Sequence, residues 1–194
     1  MGYRISFIAA DMPPEEMIKA LDLQVTGEAD EMPEGETDFW VAKIREGHSI
    51  LWSENEMFGA ENEPKLNELS RRAPVLCCTI SETVMSSSIL HFADGKREWE
   101  MHWRGDEGPV PDNFSLLGAV PSSFRKELAM AQEKQNSNNE VDYFFEVPVT
   151  VAEAICGFRY DADLGPEDTE CFYLLEELTQ PKRGLFSSLF GKRK

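Results

Sequence analysis

Two of the chain's three histidines, His91 and His102, fall within LHFADGKREWEMHW, residues 90–103. Glu98 and Glu100 lie between them, beside Trp99 and Trp103. An imidazole next to a carboxylate is the minimum for general acid–base work, and imidazoles with carboxylates are also zinc ligands. Spacing decides whether such chemistry follows. Asp94-Gly95 is a strong signal for a two-residue hairpin turn. Flush pairing from that turn sets His91 opposite Glu98, Leu90 opposite Trp99, Ser88 opposite Met101 and Ser87 opposite His102. Leu90, Phe92, Trp99, Met101 and Trp103 then share a core face. Ile89, His91, Glu98, Glu100 and His102 share the other, solvated face. Four residue steps separate the two histidines, about 13 Å at about 3.3 Å per residue. Ligand bonds to zinc are only about 2 Å, so one ion does not take both, and no metal or other cofactor is expected. His91 and Glu98 remain a weak catalytic pair, in which the carboxylate would favour a charged imidazole. The same pattern arises on any half-exposed hairpin, as a cross-strand polar pair.

The remaining motifs fail on their own terms. DADLGPEDTE (161–170) puts Gly165, Pro166 and Phe172 where a calcium loop needs an oxygen ligand, glycine and glutamate. It reads as an acidic turn. The serines of SETVMSSS (81–88) lack a G-x-S-x-G elbow and fit polar positions on an exposed strand face. There is no phosphate- or dinucleotide-binding glycine motif. Cys77 and Cys78 are adjacent and would point to opposite faces of a strand, while Cys156 and Cys171 stand alone. They read as small hydrophobes in a reducing compartment. Trp40, Trp52, Trp99 and Trp103 read as core.

Charge is the strongest global feature. The chain has 194 residues and a formal charge of −17. Its tail, 181–194, takes 5 of the 19 basic residues (Lys182, Arg183, Lys192, Arg193, Lys194) and none of the 36 acids. Residues 1–181 thus carry 14 basic against 36 acidic residues, a formal −22. Such a body excludes nucleic acid as a partner and favours basic ones. The densest run is GEADEMPEGETD (27–38), with Glu28, Asp30, Glu31, Glu34, Glu36 and Asp38. It reads as a loop. In the tail, Leu185, Phe186, Leu189 and Phe190 form one apolar patch if helical, suited to a partner groove or, weakly, to an anionic membrane. No apolar run approaches the ~20 residues of a membrane-spanning helix, and no secretory signal opens the chain, so a cytoplasmic location is expected.

The elements follow from pattern. YRISFIAA (3–10) is a strand. Asp11 caps a helix over Met12–Leu23, with Pro13 and Pro14 in its first turn and Met17, Ala20 and Leu21 on its apolar face. A hairpin spans 39–53, and a helix over 63–72 uses Leu66 and Leu69. Strand follows over 74–92, broken near Glu82, with the hairpin return at 97–104. A helix over 121–135 presents Phe124, Leu128 and Ala131. VDYFFEVPV (141–149) is a strand, Thr150 and Glu153 form a capping box for a short helix ending at Gly157, and 171–178 is the last strand. Hairpins with about four interspersed short helices make an α+β fold with a mostly antiparallel sheet. A single domain spans 1–180, with 1–73 and 74–180 as candidate halves. The expected function is a non-enzymatic acidic binding protein, such as an inhibitor or immunity-type partner of a basic protein. The alternatives are a small enzyme working around His91 and Glu98, and a peripheral membrane adaptor using the tail.

Overall fold

The computed structural model describes residues 2–33, 38–44, 47–138, 140–162, 164 and 168–178. Among these residues, nine strands form one antiparallel sheet, and five α-helices accompany it. The strands are β1 (Arg4–Ala10), β2 (Leu23–Ala29), β3 (Phe39–Ile44), β4 (Ser49–Ser53), β5 (Val75–Ser81), β6 (Ser86–Ala93), β7 (Lys96–Arg104), β8 (Phe114–Gly118) and β9 (Thr169–Glu177). The helices are α1 (Pro14–Ala20), α2 (Phe58–Glu61), α3 (Glu63–Leu69), α4 (Ser123–Ser137) and α5 (Glu146–Cys156). The sheet order is β2-β9-β3-β4-β1-β5-β6-β7-β8. β1 pairs with β5 across the two candidate halves, and β9 returns from the far end of the chain to lie between β2 and β3.

Both faces of the sheet are covered. On one, α4 and α5 pack on Phe7, Trp40, Cys78, Ile89, Met101 and Trp103. On the other, α1, α2 and α3 pack on Ile8, Val41, Leu51, Cys77 and Phe92. Strands buried on both sides must be apolar at every position, which is why FIAA and VLCC read as continuous runs. Cys77 and Cys78 do point to opposite faces. All four tryptophans are buried.

Three stretches depart from the sequence reading. Asp11 does not cap α1. It faces Lys43 at 3.7 Å, and the helix starts at Pro14 with Pro13 before it. Residues 141–149 are not a strand, and Thr150 lies inside α5 rather than at its cap. The turn just before α5 is held by Asp142, whose Oδ1 accepts from the Phe144 and Phe145 amides at 3.0 and 3.2 Å. Its Oδ2 accepts from Trp103 Nε1 at 3.0 Å, tying the helix to β7. Pro148 sits in the first turn, where its missing N–H has no intrahelical acceptor to lose. Finally, the edge strands β2 and β8 fall where the sequence reads as helix end, loop or nothing regular. Both are short on buried residues and are held by their neighbours β9 and β7.

Candidate functional site

The hairpin forms around Asp94 (φ 53°) and Gly95 (φ 81°), the left-handed pair that a type I′ turn requires. Both turn amides are anchored: Asp94 N–H donates to Ser70 O and Gly95 N–H to Ser70 Oγ. Ala93 faces Lys96 and Phe92 faces Arg97, as flush pairing requires. The register then shifts by one residue. His91 faces Trp99, Leu90 faces Glu100, Ile89 faces Met101, Ser88 faces His102 and Ser87 faces Trp103. Glu98 is the extra residue of a β-bulge.

One residue of slip flips every later side chain on one strand relative to the other. Ile89 therefore joins Trp99, Met101 and Trp103 in the core under α4 and α5, while Phe92 and Leu90 pack on the opposite face. His91 goes with Ile89. Its ring stacks on Trp99 with centroids 5.0 Å apart and planes 9° from parallel. His102 lies on the other face, with Nε2 3.0 Å from Ser86 Oγ. The two imidazoles are thus on opposite sides of the sheet and cannot share an ion. The serines also differ from expectation: Ser81 and Ser87 are buried, and Ser87 Oγ donates to Phe145 O.

Glu98 remains near His91, with Oε2 3.6 Å from Nδ1, too long for a hydrogen bond. The buried Nδ1 has no other partner. Burial pushes the His91 pKa below its ordinary 6.5, and Glu98 only partly opposes this. The expected charged imidazole is reversed because desolvation outweighs the carboxylate. His102 is also lowered, first by burial and then by Arg104. Burial raises the Cys77 thiol to about 12 and Cys156 to about 11, which leaves both as poor nucleophiles near neutral pH. Among the described residues, no group of three or more His, Cys, Asp or Glu is placed to hold a metal ion.

The acidic run has a different setting. Its first part is not loop: Glu28 lies on β2, the outermost strand, and Asp30 and Glu31 follow directly. Asp38 precedes β3, and its carbonyl accepts from the Glu54 amide. Glu34 and Glu36 lie outside the described residues, as do 179–194 with the tail residues Leu185, Phe186, Leu189 and Phe190. The insertion of β9 adds acids that no local pattern announced. Glu176 faces Gln24, whose Nε2 donates to it at 2.5 Å, and Glu177 faces Leu23. At this end of the sheet, β2, β9, β3 and their described flanks carry Glu28, Asp30, Glu31, Asp38, Asp168, Glu176 and Glu177 against one cation, Lys43. Cys171 on β9 registers the field. Burial raises its pKa first, and Glu28 and Asp30 raise it further. A bulge near Thr26 and the exposed Val25 complete this edge.

Between α1 and α3 runs a groove of about 390 Å³, lined by Glu16, Lys19, Ala20, Pro64, Lys65, Glu68, Leu69 and Arg72. Arg72 pairs with Glu16 at 2.7 Å, and Lys65 with Asp22 at 3.2 Å. No local pattern announces it, because α1 and α3 are distant in sequence and meet only by packing on the same face of the sheet. No helix of the described residues is long and apolar enough to cross a membrane. Comparison with known proteins brings no identification: no family model matches the chain, and neither a curated protein nor a solved structure matches it.

Proposed function

We propose that the protein is a non-enzymatic acidic binding protein, an inhibitor or immunity-type partner of a basic protein, and that it meets that partner at the β2–β9–β3 end of its sheet. The observation that supports this most is the one-sided charge of that end, where seven named carboxylates stand against a single cation among the described residues, Lys43. Three of these, Glu28, Glu176 and Glu177, are held by strands and cannot spread apart as they would on a free loop. They present a field that a basic surface relieves. Among the described residues no strand pairs with the outer side of β2, so a partner strand there would gain hydrogen bonds as well as charge. His91 gives less support to an enzyme, since Trp99 covers its ring and its side chain is only 15% exposed.

The test is affinity capture followed by kinetics with the purified partner. The partner should be basic. Its association rate should fall as salt shortens the Debye length from about 10 Å at 0.1 M to about 3 Å at 1 M. The combined change Glu28→Gln, Asp30→Asn and Glu31→Gln should slow association more than it speeds dissociation. A neutral or acidic partner, or rates indifferent to both salt and the triple change, would remove the basis of this proposal.

A further inference from the structure

The α1–α3 groove has the size of a small-ligand or side-chain pocket, within the usual range of about 300–1,000 Å³. Its floor is apolar, from Ala20 and Leu69, and its rim is charged, from Glu16, Lys19, Lys65 and Arg72. A second observation concerns where the described chain stops. The Leu178 amide donates to Asp22 O at 2.9 Å. Asp22 follows directly on the end of α1, and Lys65 from the groove's rim reaches both Asp22 Oδ2 and Leu21 O. The polypeptide therefore leaves β9 at the mouth of the groove. Leu178 itself is 46% exposed there.

Residues 179–194 follow, with Leu185, Phe186, Leu189 and Phe190 between two basic clusters. We propose that the α1–α3 groove is the docking site of this chain's own segment 185–190. Reach is ample: the residues from 179 to 184 span up to about 20 Å when extended, and α1 is only about 10 Å long. Proximity does most of the work. A short tether gives an effective concentration in the millimolar range, so even a millimolar intrinsic affinity, about 4 kcal/mol, leaves the groove substantially filled. An outside partner has no such advantage. Two bodies of formal charge −17 repel, which disfavours a second copy as the occupant. Around the groove the acids Glu15, Glu16, Asp22 and Glu68 are matched by Lys19, Lys65, Arg71 and Arg72, so charge does not decide the occupant and the tether does. The ion pairs already there are largely exposed, so exchanging partners costs little.

The test uses the full chain carrying Ser188→Cys in a Cys171→Ser background, with a nitroxide on the new thiol. This change leaves the four apolar side chains in place. The expected result is that amide signals of Lys19, Ala20, Lys65 and Leu69 lose most of their intensity while Leu116, on the opposite edge of the sheet, keeps its own. Ala20→Glu, a half-buried helix position whose change leaves the core intact, should restore the lost signals. Signals at α1 and α3 that keep their intensity, or a loss that Ala20→Glu does not relieve, would overturn the proposal. So would the same loss in a mixture of spin-labelled and isotope-labelled chains, which would make a second copy the occupant. Vesicles containing anionic lipid form the last arm. Recovery of the α1 and α3 signals only when they are added supports a docked tail that a membrane can extract, whereas vesicle binding by a tail that never broadened those signals overturns it.

Discussion

Trp99→Ala tests the bulged hairpin, because the bulge is what puts Trp99 and His91 in one stack. Trp99 is 6% exposed and packs within the core under α4 and α5. An aromatic side chain of this kind buries about 150–250 Å², worth up to roughly 4–6 kcal/mol at about 25 cal/mol per Å². Large-to-alanine changes of core aromatics cost about 3–5 kcal/mol. Trp99 pairs with Gly118 on the edge strand β8, which can partly close over the gap, so a value near the lower end, about 3 kcal/mol, is expected. Urea unfolding followed by far-UV circular dichroism measures it without relying on the fluorophore removed. The same variant uncovers His91. In the wild type its pKa should lie below 6.5 by NMR titration, and in Trp99→Ala it should rise toward 6.5 or above, as desolvation weakens and Glu98 remains. A flush hairpin predicts the opposite wild-type sign, with a solvated imidazole raised by the carboxylate opposite it. A wild-type pKa above 6.5, or a stability loss under about 1 kcal/mol, would refute the bulged register.

Gly118→Ala addresses the same bulge from across the sheet. With φ at +73° and a new Cβ only 2.1 Å from Glu98 O, it should cost more than about 1 kcal/mol in the same melt, and a neutral result would contradict the geometry. Stability should also depend on pH through the two histidines. Both have folded pKa values below 6.5, so the unfolded chain binds more protons and stability falls as pH drops from 6.5 through those lower values. The slope should flatten in His91→Gln; a stability that rises over that window would mean the shifts have the other sign. Finally, Cys171 should be the first thiol to react with neutral iodoacetamide, since Cys77, Cys78 and Cys156 are buried. Glu28→Gln should quicken that reaction by less than about tenfold, the equivalent of one pKa unit, and no change would mean that Glu28 does not act on this strand.

The fold class was legible because its signals are local. Alternation and the Asp94-Gly95 turn mark the hairpins, and Leu66 and Leu69 mark α3. What escaped the sequence depends on distant partners. The bulge at Glu98 has no local sign. Part of its cause lies across β8, where only a residue without a Cβ fits against the Glu98 carbonyl at Gly118. VDYFFEVPV has the aromatic content of a strand, but Asp142, held by Trp103, turns the chain through the Phe144 and Phe145 amides just before α5. β2 has little apolar content of its own and becomes a strand because β9 offers it a ladder. The acidic run was visible as composition, yet Glu176 and Glu177 join it only through the return of β9 from the far end of the chain.

Hydrogen exchange of the protein with and without its captured basic partner tests the central claim most directly, because it reports where the partner sits. If the acidic end of the sheet is the recognition surface, amides of residues 23–31 on β2 and its flank should gain protection, and the gain should shrink in the variant lacking the Glu28, Asp30 and Glu31 charges. Protection confined to β8 or to the α4–α5 face, with β2 unchanged, would contradict the claim.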